Sequence, residues 1–180
     1  MVTMKKEETM VCYCIFCVTQ KTSQILEELS SGNIIPGLTV LQPKIVQRKW
    51  IRKNATEEIH DYLPGYLFLY TKEQIQPRFD ISGIIRCLGN SELNGQDLAF
   101  AEMIYQKKGV MGIISLMCDG ERCRINDPAW EQIHGKVIRM DKGRKRCCIE
   151  FEFDGIKRSI WAGYEIVLTE QDDMMPDGKT

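Results

Sequence analysis

The spacing of apolar residues predicts both strands and helices in the first hundred positions of the chain. Continuous apolar runs are typical of buried strands, and apolar residues three and four positions apart are typical of helices. In chain order, the pattern predicts a strand over 11–18, a helix capped by Thr22 or Ser23 and ended by Gly32, a hairpin that breaks near Lys53, a strand over 66–71 entered by a Pro-Gly turn, a strand over 83–89 and a helix from about Asp97 to Lys107. These elements together form an α+β unit.

The pattern changes after residue 108. Ile149, Phe151 and Phe153 alternate with acidic residues, and this period of two is typical of a half-buried strand. Further short apolar segments are separated by turn signals, and nothing after Gly120 has helical spacing. The second part of the chain is therefore predicted to be a small all-β barrel.

These two patterns predict two domains. The predicted boundaries are a disordered N-terminus at 1–10, an α+β domain with an antiparallel sheet and flanking helices at 11–108, a linker at 109–118, a β-barrel domain at 119–169 and a polar tail at 170–180.

Composition excludes several classes of protein. The chain has 24 basic and 25 acidic residues, so nucleic-acid binding would need a local cluster of charge. The first apolar run, 11–18, is far shorter than the roughly 20 residues that span a bilayer, and no secretory signal precedes it. We therefore expect a cytoplasmic protein with no membrane partner, whose cysteine thiols remain free.

Cys14 and Cys17 form a C-x-x-C pair that has three possible interpretations: a redox dithiol, half of a metal site, or part of an ordinary strand. In a strand, residues three apart point to opposite faces, so the two thiols could not bind one metal ion. A thioredoxin-like site needs a cysteine near a helix N-terminus, and five polar residues separate Cys17 from the predicted helix. The strand is favoured, and the redox site stays as the alternative.

No catalytic constellation is visible in the sequence. His60 and His134 stand alone, and no glycine-rich phosphate-binding loop is present. The cysteines also lack the spacing of a zinc site. The sequence predicts neither an enzyme nor a bound cofactor or metal ion.

The order of short motifs from Cys12 to Val167 resembles the NusG-type transcription elongation factors. Residues 13–18 are similar to that family's first strand, 63–68 read LPGYLF where the family has FPGYVF, and 83–89 read GIIRCLG. Residues 120–141, with Gly135 on the central glycine, are similar to the KOW motif, and 152–167 resemble its last hairpin. The chain departs from the KOW pattern at 128–130, where Pro-Ala-Trp replaces Gly-Pro-Phe and the usual tight glycine turn is absent.

Two segments are similar to the LoaP antiterminators, a specialised branch of this family. They are MGIISLM at 111–117 and the basic stretch MDKGRKRCCIE at 140–150. The resemblance implies an N-terminal domain of the NGN type and a C-terminal SH3-like barrel of the KOW type. It also implies a monomer that suppresses pausing and promotes antitermination.

The resemblance implies that the first domain docks the clamp helices of RNA polymerase in an apolar pocket. Carried over residue by residue, the pocket comprises Phe16, Leu63, Tyr66, Phe68 and Leu88. Such a site is expected to be an exposed aromatic patch. Ordinary core aromatics are the alternative.

A basic cluster in the second domain is the candidate contact for a leader RNA hairpin. It comprises Lys136, Arg139, Lys142, Arg144, Lys145 and Arg146, with only Asp141 among them. On adjoining strands these side chains could form one basic edge suited to RNA phosphates. A solvated hairpin turn is the alternative.

A second basic set surrounds Trp50 on the predicted hairpin. It comprises Lys44, Arg48, Lys49, Arg52 and Lys53, and could face upstream or non-template DNA, or the polymerase, or only solvent.

Two other functions stay open at this point. One is a general NusG protein whose KOW domain binds a ribosomal protein or the termination factor Rho. The other, outside the family, is a thioredoxin-like redox protein with a strongly acidic thiol at Cys14.

Overall fold

The computed structural model describes residues 10–51, 54–120 and 122–167. In chain order its elements are β1 Val11–Cys17, α1 Thr22–Ser30, β2 Thr39–Leu41, β3 Lys44–Ile51, β4 Asn54–Asp61, β5 Tyr66–Thr71, β6 Ile84–Cys87, α2 Gly95–Gln106, β7 Val110–Met111, β8 Ile114–Asp119, β9 Arg122–Ile125, α3 Pro128–Gln132, β10 Lys136–Asp141, β11 Arg146–Phe153 and β12 Ile156–Ile166. The predictions for residues 1–9 and for the tail at 170–180 lie outside the described residues.

The chain divides into two compact units, but each is discontinuous in sequence. The first combines the residues up to Lys44 with Asp61–Val110, and the second combines Ile45–His60 with the residues from Met111 onward. The predicted contiguous domains are therefore wrong for the hairpin, which belongs to the second unit. The predicted linker at 109–118 instead contains β7 and most of β8.

The first unit is a four-stranded antiparallel sheet with a helix on each face. Its strand order is β2-β5-β1-β6. On one face Ile25 and Leu29 of α1 join a buried cluster with Tyr13 and Ile15. On the other face α2 covers β5, and the Phe68 and Phe100 ring centroids lie 5.8 Å apart. Because both faces are covered, β5 is buried at all six positions, which explains its unbroken apolar run.

Helix α1 begins differently from the prediction. Neither Thr22 nor Ser23 is its N-cap, since a short 3-10 turn at Thr19–Lys21 leads directly into the helix. The Thr22 hydroxyl instead donates a hydrogen bond to the Thr19 carbonyl at 2.9 Å. The predicted glycine at the other end is confirmed: Gly32 follows the C-cap with a φ of 73°, in the left-handed region that glycine tolerates best.

The second unit contains a five-stranded, nearly closed, barrel-like sheet. Its order is β10-β11-β12-β8-β9, antiparallel except for the parallel pair of β12 and β8. The predicted alternation is confirmed, since Ile149, Phe151 and Phe153 are buried while Glu152 is exposed. The mixed α+β class predicted from the sequence is thus observed, together with a barrel-like sheet.

The expectation of an all-β second part is wrong at α3. Asp127 is the N-cap of this helix, and its carboxylate accepts a hydrogen bond from the Ala129 amide at 3.0 Å. Pro128 occupies the first turn, where a missing N–H costs nothing. Asp127-Pro128, one of the turn signals in the second part of the sequence, therefore starts a short helix, and this helix buries Trp130.

Strands β3 and β4 are neighbours in a small sheet of order β4-β3-β7. Within the second unit, β3 packs on β12: Gln47 Nε2 donates to the Trp161 carbonyl at 2.8 Å, and Arg48 Nη1 donates to the Tyr164 carbonyl at 3.3 Å. A Cβ on Gly163 would lie only 2.6 Å from Ile113 Cδ1 and 3.5 Å from the Arg48 nitrogen. Glycine at 163 therefore leaves room for the Ile113 side chain, while the backbone of β3 lies at ordinary contact distance.

No helix in residues 10–51, 54–120 or 122–167 is long and apolar enough to cross a membrane.

Candidate functional site

The C-x-x-C pair lies in strand β1, with its two thiols on opposite faces of the sheet. Cys14 is in register with Phe68, on the face that α2 covers, whereas Cys17 belongs to the cluster beneath α1. Both side chains are fully buried. Burial raises the pKa of Cys17 to about 11, and burial followed by the nearby Glu102 carboxylate raises the pKa of Cys12 to about 11. The predicted strand is confirmed, and these shifts are opposite to those of a reactive thiolate.

One pair of cysteines contradicts the expectation of free thiols. Cys118 on β8 and Cys123 on β9 are directly opposite each other and form a disulfide. The spacing of these two cysteines does not fit a zinc site, and no disulfide was predicted from the sequence. The useful signal was the intervening Asp119-Gly120 turn, which brings two strand ends together.

We expect Cys12, Cys14 and Cys17 to resist alkylation by iodoacetamide in the folded protein at neutral pH. The thiolate is the nucleophile, and the raised pKa values of Cys12 and Cys17 keep both as thiols until the pH approaches 11. Mass spectrometry of peptides from native and denatured protein measures this. The partly exposed Cys87 is the internal comparison.

The same raised pKa values determine how the stability of the fold changes with pH. A thiol with a raised folded-state pKa stabilises the fold below its unfolded value of about 9, and this contribution is lost as the pH rises toward 11. Rapid labelling of Cys14 at neutral pH would contradict the strand interpretation and favour the redox one.

Four of the five residues predicted to dock RNA polymerase are buried. Phe68 is fully buried, and Leu63, Leu88 and Tyr66 are 2%, 2% and 7% exposed. The expectation of an exposed aromatic patch is wrong for these four; Phe68, for example, packs against Phe100 of α2. Phe16 is the partly exposed member of the set.

Phe16 and Tyr66 nevertheless form a small aromatic pair at the end of β1. They are cross-strand partners, and their ring centroids lie 4.8 Å apart. A Cβ on Gly65 would approach the Cys17 carbonyl to 2.6 Å and the Phe16 ring to 2.9 Å, so glycine lets this ring lie against the turn. On neighbouring β6, Arg86 is the cross-strand partner of Phe16, and the adjacent residue, Ile85, is 57% exposed where the register shifts.

The six basic residues predicted to contact RNA lie on β10, on the turn that follows it and at the start of β11. Lys136, Arg139, Lys142, Arg144 and Lys145 are exposed on β10 and the following turn. They diverge from there: Lys136 lies opposite Glu150, Arg139 and Lys142 line one groove, and Arg144 and Arg146 line another.

Asp141 holds the turn between β10 and β11 in place. Its two oxygens accept hydrogen bonds from the Arg144 amide at 3.1 Å and from Arg146 Nε at 3.0 Å. These interactions, the amide first, lower the pKa of Asp141, so the carboxylate stays ionised. The Arg146 guanidinium also lies 4.7 Å from the centroid of the Trp161 ring, which fixes its position further.

The first groove, here called the edge groove, lies between the two edge strands of the barrel-like sheet. It has a volume of about 530 Å³ and is lined by Arg122, Cys123, Val137, Ile138, Arg139 and Lys142. Since residues of both β9 and β10 line it, these edges face each other across the gap. Arg122 was not among the predicted contacts.

The second groove, here called the hairpin–turn pocket, is lined by members of both basic sets, which lie far apart in the sequence. It has a volume of about 430 Å³, and its charged and titratable lining residues are Arg48, Lys49, Glu58, His60, Arg144 and Arg146. All of them belong to the second unit. Arg48 and Lys49 come from β3 and lie more than ninety positions before the turn, so no local sequence signal could join them. Arg52 and Lys53 lie outside the described residues.

The acidic residues in and around this pocket are paired with its cations. Glu58 lies 3.1 Å from Lys49 and 3.4 Å from His60, and Glu57 lies 3.7 Å from Arg48. These pairs are largely exposed to solvent, so each is worth little energy and is easily exchanged for another anion.

No group of three His, Cys, Asp or Glu side chains in the described part of the chain could hold a metal ion. Comparison with protein-family models and with curated protein sequences gave no significant match.

Proposed function

We propose that this chain is a NusG-type transcription elongation factor, nearest to the LoaP antiterminators. In this proposal the first unit is an NGN-like domain that binds the clamp helices of RNA polymerase. The second unit is a KOW-type barrel that contacts leader RNA, and the complex suppresses pausing and reads through terminators.

One observation carries the proposal: the main sheets of the two units follow each other along the chain in the order that the motif resemblance implies. A helix-covered antiparallel sheet is followed by a small, nearly closed sheet with a basic outer surface. The LPGYLF motif forms the turn into β5, and the KOW-like segment spans β9, α3 and β10. Fold and motif order support this function together, while the chemistry of binding depends on the two surfaces described above.

The polymerase contact is assigned to the Phe16 end of β1. Phe16 is partly exposed, Tyr66 supports it from the neighbouring strand, and Ile85 on the adjoining strand β6 presents an exposed apolar side chain. Exposed aromatic and aliphatic side chains on a rigid sheet edge are the usual centre of a protein interface.

We expect Ile85→Glu to weaken binding to bacterial RNA polymerase by about tenfold or more, because hot-spot residues contribute about 2 kcal/mol or more. The side chain is mostly exposed, so the substitution should leave the fold intact. Biolayer interferometry on immobilised core polymerase measures the dissociation constant.

Ile59→Glu is the matched control. Ile59 is 60% exposed on β4 of the second unit, so the variant adds the same charge at an equally exposed apolar position. Equal affinity for wild type and Ile85→Glu would remove this surface from the proposal.

The proposed function itself is tested by single-round transcription across an intrinsic terminator, with the operon leader present or deleted. Read-through that needs the leader is the expected result. A leader-independent change in pausing would favour a general NusG protein whose second unit binds Rho or a ribosomal protein. No effect on transcription and no polymerase binding would overturn the proposal.

A further inference from the structure

We infer that the hairpin–turn pocket binds a phosphate group of the RNA backbone, with strand β3 and the 142–145 turn acting together. The site would make the hairpin part of the RNA-binding surface, whereas its basic sequence alone left DNA, the polymerase and solvent as alternatives. The identity of the polyanion as RNA rests on the proposed function. The composite site itself rests on geometry.

The charge of the pocket favours an anion. Four cations and one carboxylate line it. Glu57 lies against Arg48 and Asp141 against Arg146, so the net charge with these two carboxylates included is one positive, counting histidine as neutral. Arginine and lysine donate several charge-assisted hydrogen bonds to phosphate oxygens, and convergence from two elements suits a tetrahedral anion with several acceptors. The volume of about 430 Å³ lies toward the lower end of the roughly 300–1,000 Å³ typical of small-molecule sites, which fits one nucleotide unit.

Two of the cations form a fixed wall. Arg48 donates to the Tyr164 carbonyl at 3.3 Å, and only a quarter of its side chain is exposed. Arg146 is held by Asp141 at 3.0 Å and lies over the Trp161 ring. Groups whose positions are set before binding lose little conformational entropy when the anion arrives.

The other two cations are the adjustable members. Lys49 is 58% exposed and pairs with Glu58 at 3.1 Å, and Arg144 is exposed at the tip of the turn. A bound phosphate would replace Glu58 as the partner of Lys49. The Glu58 carboxylate therefore competes with the ligand for Lys49. Removing the charge of Glu58 should strengthen phosphate binding.

The experiment measures the affinity of the full chain for a fluorescently labelled, mixed-sequence, single-stranded RNA by anisotropy at two or more salt concentrations. We expect Lys49→Gln and Arg144→Gln each to weaken binding by about tenfold. Each should also reduce the slope of log affinity against log salt by about 0.7 for the lost phosphate contact. We expect Glu58→Gln to strengthen binding by about threefold.

The double variant decides whether the two residues share one ligand. If both bind the same phosphate, the loss in Lys49→Gln/Arg144→Gln falls well short of the product of the single losses. Lys157→Gln is the matched control, since it removes one charge from a 75% exposed lysine on β12 that does not line the pocket. Its affinity should equal that of wild type.

Three results would overturn the inference: an effect of Lys49→Gln no larger than that of Lys157→Gln, losses that multiply independently in the double variant, or no RNA binding by the wild-type chain. A fourth result would also overturn it: inorganic pyrophosphate that competes for the pocket as strongly as unlabelled RNA does, because the pocket would then belong to a free ligand. Polymerase is absent from these assays, so their failure is distinct from failure of polymerase binding, on which the proposed function depends.

Discussion

Replacing Phe68 with alanine is expected to lower the free energy of unfolding of the first unit by about 3–5 kcal/mol, the usual cost of removing a buried aromatic ring. Phe68 is fully buried between β5 and α2, and its ring lies 5.8 Å from that of Phe100. Chemical denaturation, monitored by hydrogen exchange in peptides from the first unit, measures the change in unfolding free energy. Ile85→Ala, at a position that is 57% exposed, is the control and should change stability little.

This expectation changes how mutants of the predicted polymerase pocket are interpreted. An acidic residue at Phe68 would bury an unpaired carboxylate and unfold the unit, so loss of polymerase binding would say nothing about docking. A folded and stable Phe68→Ala protein would contradict the burial of this ring and return Phe68 to the list of surface contacts.

The second large effect is expected at Trp130, where Trp130→Ala should cost about 3–5 kcal/mol of stability in the second unit. Trp130 is fully buried, and its ring centroid lies 6.0 Å from that of Phe151 in an edge-to-face arrangement. A Cβ on Gly135 would lie 2.8 Å from Trp130 Cε3, so the glycine at the centre of the KOW-like motif is the residue that accommodates the indole. Urea denaturation followed by far-ultraviolet circular dichroism measures the change.

Trp130→Phe is the informative control. Within the described residues the Trp130 indole N–H has no hydrogen-bond partner, and a buried unpaired donor costs about 1–3 kcal/mol. Phenylalanine removes that donor while retaining most of the ring, so the stability of this variant should stay close to that of wild type. Equal destabilisation by alanine and phenylalanine would show that ring packing is not what Trp130 contributes.

Local patterns in the sequence predicted the strands well, and the failures have physical causes. The alternation at 149–153 and the apolar run at 66–71 are direct consequences of which strand faces are buried. Helix α3 was missed because five residues are too few to show helical spacing. The Asp127-Pro128 sequence at its start is also typical of a turn, so the sequence alone did not distinguish a turn from a helix start.

The candidate site was predicted less well, because burial and proximity depend on tertiary packing. In the predicted strand over 66–71, alternation places Tyr66 and Phe68 on one face, where they lie, but the sequence could not show that α2 covers that face. The basic turn was found correctly at 142–145. Its association with Arg48 and Lys49 could not be predicted, because more than ninety residues separate them.

The membership of the β3–β4 hairpin in the second unit has a consequence for synthesis and for truncation. As the chain emerges from the ribosome, Ile45–His60 is made well before the strand that accepts the hydrogen bonds of Gln47 and Arg48. The second unit therefore cannot complete its fold until β12 has been translated. A fragment that begins at Met111 would lack one wall of the hairpin–turn pocket, so the second unit cannot be cut out as a single continuous piece without losing the β3–β4 hairpin.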